Sequence, residues 1–399
     1  MTGARFAAAI VAAQVLAQIG AFTLPALLPT YITRWSLSAT GAGWLIGAFF
    51  AAYVAAVPVL VALTDRIPAR CIYILGALLT ALSHLGFALV ADGFWGARLL
   101  RVIAGIGWAG CYMPGLKVLA DRLEGAEQSH AVGLYAAGVG VAGAASFAVA
   151  GGLDALAGPE AAFLFGAAAA AIAMVIGAVA MPRGAPHRED GRSPTALLDF
   201  RPVLRNRAAM AWIAGYTVHT WELAALRAWG VTFLAAAIAW HGAPAWLPGP
   251  SAIFTAAGLL GIAVSLTRNE VAQRFGRLRV VSMAMGRGAV FALLAGGSAL
   301  VSAPLAALCV IAWNAAIYLD SSALTAGTVQ AAEKDRRGAT MGLHSMCGYA
   351  GGFLGPVIVG IVLDVAGPED GVGWALAFAH LAPVTLVGLW VLRRLGCSG

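Results

Sequence analysis

Charged residues are scarce in this chain of 399 residues. Lysine, arginine, aspartate and glutamate together make up 11% of it, whereas a soluble globular chain carries about 25%. This composition excludes an ordinary soluble domain. Acids are rarest in the interior of the apolar stretches, where only Glu222 and Asp320 lie, and every other Asp or Glu lies in a loop or at the end of a stretch. A charge at the centre of a bilayer costs about 2.5–3.5 kcal/mol on insertion scales, so such an acid is normally kept for a task or tightly paired.

Paired cysteines and metal-binding patterns are also missing. The five cysteines are scattered and form no Cys-x-x-Cys pair, so we interpret them as small apolar packing residues. No set of His, Cys, Asp and Glu residues has the spacing of a metal site, and nothing resembles a nucleophile with its base. We therefore expect no metal, no cofactor and no enzymatic activity.

Long apolar runs dominate what is present. Hydrophobic residues make up 61% of the chain, and the mean hydropathy is +0.84. About twelve runs are long enough to cross a hydrocarbon core of about 30 Å as helices, and they lack the alternation of barrel strands. We predict an all-α membrane protein with twelve transmembrane helices. The runs cover approximately residues 6–31, 40–63, 71–91, 97–121, 129–156, 161–181, 208–237, 250–268, 280–301, 304–331, 338–365 and 373–392.

A polar interval over residues 182–207 divides the chain near its midpoint. It contains six arginines and no run long enough to span a membrane, so we interpret it as a cytoplasmic linker with a short amphipathic helix around residues 197–204. The predicted domains are an N-terminal six-helix bundle over residues 1–181, this linker, and a C-terminal six-helix bundle over residues 208–399.

The basic residues predict the orientation. Most lysines and arginines lie in the terminal segments and in the even-numbered loops, whereas the odd-numbered loops carry tryptophans suited to a membrane interface. The positive-inside rule then places both termini in the cytoplasm, in a bacterial-type inner membrane. Because the net charge of +7 reflects this topology, we expect no nucleic-acid partner.

The two halves of the chain repeat a pattern. The loop after the second run, residues 64–70, has a counterpart after the eighth, residues 273–279. Gly133-Leu134-Tyr135 in the fifth run and Gly342-Leu343-His344 in the eleventh are separated by nearly the same offset. Duplicated halves are typical of transporters whose substrate site lies near the bilayer midplane.

The loop after the second run resembles the Gly-x-x-x-Asp-Arg-x-Gly-Arg-Arg motif of the major facilitator superfamily. Three residues match, whereas Val61, Pro68 and Ala69 depart from the motif, and the second copy is more degenerate. The resemblance implies two pseudo-symmetric six-helix bundles around a central cavity, alternating access, and loops that open and close the cytoplasmic side. To this gating loop we assign Asp65, Arg66, Arg70, Arg274 and Arg277.

The resemblance also implies that the first, fourth, seventh and tenth helices line the cavity. Polar and aromatic residues in those runs are therefore candidate substrate ligands: Gln14, Gln18, Arg101, Tyr112, Trp221, Arg227 and Asn314. Arg287 lies instead in the ninth run, where we expect snorkelling or a lateral pair. For His344 we expect packing or a hydrogen bond between helices.

Glu222, Asp320 and His219 are the candidate proton carriers. His219 and Glu222 are three residues apart and can meet on one helix face. Proton relays in transporters use Asp, Glu and His in such positions. The alternative is structural: Glu222 could pair permanently with Arg227 or Arg101, and Asp320 could be satisfied by Asn314 and neighbouring serines.

These observations favour a monomeric secondary transporter that moves a small polar or anionic organic solute, with protons as the coupling ion and the lipid bilayer as its surroundings. The alternatives are proton-coupled efflux of amphipathic drugs, or a uniporter, which a mainly apolar and aromatic cavity would favour. A non-transporting membrane sensor is a further alternative, although the chain shows no added soluble domain.

Overall fold

The computed structural model describes residues 2–64, 66–184, 199–333 and 336–396, with backbone alone for residues 61–62 and 266–274. Nearly all of the described residues are helical, and none of them forms a strand. The first half contains α1 (Gly3–Gln18), α2 (Thr23–Ala26), α3 (Leu28–Arg34), α4 (Ala39–Leu63), α5 (Ala69–Leu89), α6 (Phe94–Arg122), α7 (Gly125–Ala157) and α8 (Pro159–Ala180). The second half contains α9 (Arg201–Arg205), α10 (Arg207–His241), α11 (Pro250–Phe275), α12 (Arg277–Ser298), α13 (Ala303–Ile317), α14 (Ser321–Ala331), α15 (Arg337–Ala366), α16 (Gly371–Ala379) and α17 (Leu381–Gly396).

The helices confirm the predicted all-α membrane architecture. Among the described residues, ten helical segments are long and apolar enough to cross a membrane. Two shorter apolar helices, Gly3–Gln18 and Pro250–Ser265, correspond to the first and eighth predicted runs. The predicted count of twelve spans depends on these two shorter helices.

Three predicted runs are interrupted rather than continuous. The first is divided into α1, α2 and α3, and it contains Pro25 and Pro29, which lack the backbone N–H that an inner helical turn needs. The tenth is divided at residues 318–320, between α13 and α14, and the twelfth is divided at His380, between α16 and α17. Hydropathy averaged over a span did not reveal these breaks, because each run as a whole remains apolar.

The chain packs as two compact units, one within Met1–Leu27 and Ala48–Pro194 and the other within Leu28–Gly47 and Thr195–Gly399. The division therefore differs from the predicted domain bounds in residues 28–47, which pack with the second unit. Close contact between the first turns of α4 and the helix α15 explains this. Gly43 lies against the backbone of Pro356, and Gly360 lies against that of Ala39, where a side chain would not fit.

Two features of the second unit fix the position of α10. The Asn206 side chain accepts a hydrogen bond from Ala209 N at 3.0 Å, which caps the helix, and donates one of 2.8 Å to Ala331 O at the end of α14. Farther along α10, Gly351 of α15 packs directly on the backbone carbonyl of Thr217. This close packing of a small residue sets the rotation of α10 and hence the direction of its polar side chains.

Candidate functional site

The second unit buries an acid–imidazole pair at the break between α13 and α14. His219 Nδ1 of α10 lies 2.7 Å from Asp320 Oδ1, and their side chains are 3% and 5% exposed. Asp320 immediately precedes α14 but makes no side-chain cap with that helix. Its carboxyl group is therefore directed to the histidine rather than to the neighbouring backbone.

Glu222 lies one turn along α10 from His219 and is equally buried. Its Oε1 accepts a hydrogen bond of 2.5 Å from Trp313 Nε1 of α13. Asp320 and His219 are close enough to interact with it electrostatically. On the side of α12, Gly288 leaves room for the carboxyl group, since a Cβ there would lie 2.7 Å from Glu222 Oε1.

Two aromatic contacts connect this cluster to α15. The Tyr216 ring stacks on His219 with centroids 5.7 Å apart and on His344 with centroids 3.9 Å apart. His344 Nδ1 also lies 3.1 Å from Thr328 Oγ1 of α14. The helix–helix hydrogen bond expected for His344 is thus present. The sequence did not indicate that Tyr216 joins the two histidines, because their contact depends on how α10 and α15 are rotated.

The other candidates in the second unit have different surroundings. Arg227 donates a hydrogen bond to the Tyr318 hydroxyl group and lies over that ring at 5.7 Å. Asn314 donates a hydrogen bond of 2.6 Å to Ala257 O, which ties α13 to α11. Trp221 lines an apolar groove of about 570 Å³ between α10, α15 and α17, and its indole N–H points to His380 at 3.4 Å.

The first unit holds its own buried polar groups. Arg101 is 3% exposed, and its Cζ lies 4.6 Å from the centre of the Phe49 ring. Gln14 Nε2 donates a hydrogen bond of 3.3 Å to Gln18 Oε1, while Gln14 Oε1 and Gln18 Nε2 find no partner among the described residues. The ring of Tyr112 lies 5.5 Å from that of Tyr135.

The predicted gating residues connect neighbouring helices where they are described. Arg70 Nε donates a hydrogen bond of 2.9 Å to Ala178 O of α8, and Arg277 donates one to Gln330 of α14. Arg66 is exposed. Asp65 and the side chain of Arg274 lie outside the described part of the chain.

Asp364, near the end of α15, is a functional candidate that the sequence analysis did not assign. Its two carboxyl oxygens accept hydrogen bonds of 2.8 Å from the backbone N–H groups of Ala39 and Thr40. A carboxylate on one helix thus caps the N-terminus of another, where the helix dipole favours negative charge. The sequence shows only that Asp364 lies at the end of the eleventh run, and this position does not identify the start of α4 as its partner.

The described side chains bring no three His, Cys, Asp or Glu residues together as a metal site would require. The arrangement instead places the Asp320 carboxyl group against the His219 imidazole, and the buried Glu222 carboxyl group lies one helical turn farther along α10.

Comparisons with known proteins agree on one architecture. The nucleoside transporter NupG, as its D323A mutant, superposes with a TM-score of 0.78 at 16% identity, covering 98% of this chain and 99% of that one. A bacterial homologue of the human lysosomal transporter Spinster gives a TM-score of 0.73 at 18% identity, covering 99% and 95%. A POT family transporter in complex with 5-aminolevulinic acid gives 0.78 at 13% identity, covering 98% and 96%.

These identities are low, so the structural matches establish the fold alone. No curated protein sequence matches the chain. A family model does match, over residues 10–249, which is more than half of the chain, and its description is Major Facilitator Superfamily. The chain belongs to the major facilitator superfamily and is a multi-pass membrane transporter rather than an enzyme.

Proposed function

We propose that this secondary transporter couples solute movement to protons by alternating access, and that Glu222, Asp320 and His219 carry the coupling proton. The observation that supports this most is the buried contact of 2.7 Å between His219 and Asp320, one helical turn from the equally buried Glu222. Ionisable side chains in such positions are rare in membrane spans and are typical of proton relays.

The charges of the cluster supply the mechanism. With both carboxyl groups ionised and His219 protonated, the cluster carries one net negative charge, and a further proton makes it neutral. An uncompensated charge buried in a span raises the free energy, so the occluded state favours the neutral cluster, in which that further proton is bound. Opening to water stabilises the charged form and allows a proton to leave.

The interrupted helix supports a transport role for the same residues. Discontinuous helices near the midplane are typical of transporter binding sites, because their ends present unpaired backbone groups. Asp320 occupies such a break, in the middle part of the span Ala303–Ala331. We infer that movement of α14 relative to α13 alters the contact between Asp320 and His219 during the cycle.

For the substrate we propose a small polar or anionic organic solute. Arg101 provides a buried cation, and the open amide atoms of Gln14 and Gln18 provide one acceptor and one donor. Tyr112 and Arg227 are further candidate ligands of the substrate. Asn314 and Trp221 are weaker candidates, since their side-chain N–H groups already face Ala257 and His380. Similar folds carry nucleosides, or bind 5-aminolevulinic acid and a conjugated peptide, which fall in the same broad class.

The basic residues give the expected membrane and orientation of the transporter. We place it in a bacterial-type inner membrane with both termini in the cytoplasm, as the distribution of basic residues indicates. Arg66, Arg70, Arg274 and Arg277 would then lie on the cytoplasmic side. The bonds from Arg70 to α8 and from Arg277 to α14 support a role in holding the helix ends that move.

Uptake into proteoliposomes tests the proposal. We would offer uridine, 5-aminolevulinic acid, dialanine and the amphipathic cation ethidium, each with and without an inward proton gradient. The proposal expects one of the three polar solutes to accumulate above protein-free liposomes, and a protonophore to abolish the accumulation. Uptake that ignores the gradient would contradict proton coupling, and gradient-dependent movement of ethidium alone would favour drug efflux.

A further inference from the structure

Arg287 is an exposed cation in the middle of a membrane-spanning helix. It lies ten residues from the start of α12, about 15 Å along the helix axis. Its neighbour Gly288 packs against the Glu222 carboxyl group, so Arg287 shares the depth of that buried acid. Yet the Arg287 side chain is exposed and, among the described residues, has no hydrogen bond or ion pair.

The surface around Arg287 is apolar. The exposed residues on the same face of α12 include Met283, Val290, Leu293 and Leu294, which are 44%, 53%, 49% and 51% exposed. A water-filled surface would carry polar residues here, so this face contacts lipid chains. Arg287 therefore points an unpaired charge into hydrocarbon unless something in the bilayer pairs with it.

The geometry of α12 defines where a partner would lie. Side chains on a helix lean toward its N-terminus, so the Arg287 guanidinium group is displaced toward Met283 and the end marked by Arg277. Arg279, also exposed, lies two turns earlier, about 12 Å along the axis. Met283 lies one turn from each arginine, so an anionic group above Met283 could be reached by both.

The neighbouring helix makes the same end of α12 more basic. Arg393 of α17 donates a hydrogen bond of 3.1 Å to Ser282 Oγ of α12. Arg393 and Arg394 line a groove of about 460 Å³ together with Leu386, Leu389 and Trp390, and Arg394 lies over the Trp390 ring at 5.8 Å. No carboxylate in the described part of the chain pairs with either arginine. A basic rim beside an aromatic and apolar surface suits a lipid headgroup.

We propose that the exposed face of α12 binds one anionic phospholipid, with its phosphate group between Arg279 and Arg287 and an acyl chain along Val290, Leu293 and Leu294. Arg393 and Arg394 contribute attraction at the rim. The site is separate from the Glu222 cluster, and it would exist whether or not transport is coupled to protons. The arginines complement a negatively charged phosphate group, and the apolar face suits acyl chains. A lipid is therefore favoured over a soluble anion.

Native mass spectrometry of the full chain in detergent tests the site, with phosphatidylglycerol and phosphatidylcholine added in parallel. We expect the wild type to retain one phosphatidylglycerol in preference to phosphatidylcholine. Arg287→Gln should weaken that retention about fivefold, the effect expected for one cation at an anionic lipid site. Glycerol 1-phosphate in excess should not displace the lipid, because it lacks the acyl chains.

Arg98→Gln is the matched control. Arg98 is a partly exposed arginine of another membrane-spanning helix, α6, and its Cζ lies 5.4 Å from the centre of the Trp95 ring. Its loss should leave lipid retention unchanged. If Arg287→Gln does not fold, Arg279→Gln, at the end of the helix, carries the same expectation.

Three results would overturn the proposal. The first is equal retention of the two lipids by the wild type. The second is unchanged retention of phosphatidylglycerol in the folded variant. The third is a dimer that Arg287→Gln dissolves without any dependence on lipid, which would assign this face to a second copy of the chain.

Discussion

His219 Nδ1 and Asp320 Oδ1 lie 2.7 Å apart, and the two residues belong to α10 and to the break between α13 and α14. The contact joins a rigid helix of 35 residues to a point where another span is interrupted. A movement of α14 relative to α10 would change the distance between His219 and Asp320. This is the contact through which we propose that a change in protonation becomes a change in helix position.

The strength of the His219–Asp320 pair can be measured by a double-mutant cycle. We expect His219→Ala and Asp320→Ala to show a coupling energy of about 0.5–3 kcal/mol, because the pair is buried and in contact. The exposed pair Lys117–Asp121, at 3.0 Å within α6, is the matched control, with an expected coupling of about 0.3–0.5 kcal/mol. Unfolding of the purified variants in mixed micelles provides the readout. A buried pair that couples no more strongly than the control would contradict this account.

Gly288 tests whether the position of the Glu222 carboxyl group matters. A methyl group at residue 288 would lie 2.7 Å from Glu222 Oε1, so Gly288→Ala should displace the carboxyl group and impair proton-driven uptake. Overpacking of this kind costs about 1–3 kcal/mol. Gly286→Ala is the control on the same helix, since a Cβ at residue 286 meets nothing within 4 Å. Equal uptake by the two folded variants would show that coupling does not depend on this geometry.

Asp364 should stabilise the start of α4. Asp364→Ala removes both acceptors for the N–H groups of Ala39 and Thr40, and the loss of an N-terminal cap typically costs about 1 kcal/mol. Thermal unfolding of the purified protein should show the loss. Glu369→Gln, an exposed acid just beyond α15, should leave the midpoint unchanged. If both variants unfold like the wild type, the cap contributes nothing measurable.

Arg101 should act on substrate affinity. For an anionic substrate found in the uptake screen, Arg101→Gln should raise KM at least tenfold, equivalent to about 1.4 kcal/mol, because a charged hydrogen bond is lost. Neutral substrates should be affected less. Arg98→Gln, about one turn earlier and partly exposed, controls for the general loss of positive charge. An equal defect for every substrate, with less folded protein, would indicate that Arg101 is structural.

The sequence predicted the helices, the membrane and the family more readily than the contacts of the site. Long apolar runs fix the spans because the bilayer demands length and internal hydrogen bonding, and the spacing of His219 and Glu222 places both on one face. The sequence identifies Asp320 as an acid within an apolar run, but its contact with His219 depends on the break at residues 318–320. Most spans here are apolar on every side, so periodicity carries little information about helix rotation.

Because periodicity does not give the rotation of these helices, some of the substrate candidates turn out to face other parts of the protein. Asn314 and Trp221 were chosen because the family places their helices beside the cavity. In the structure, Asn314 binds the carbonyl of Ala257, and Trp221 faces a groove shared with α17. Conversely, Trp313 became a partner of Glu222 only when α10 and α13 were placed side by side. Polar residues in a span indicate that a site exists, while helix rotation decides which residues form it.

The most direct test of proton coupling is Glu222→Gln in proteoliposomes, using whichever solute the wild type accumulates. Glutamine keeps the size of the side chain and can still accept a hydrogen bond from Trp313, but it cannot exchange a proton. We predict that proton-driven accumulation falls to the level reached without a gradient, while exchange of labelled for unlabelled solute continues. Accumulation that still follows the imposed pH gradient in this variant would contradict the assignment of the coupling proton to Glu222.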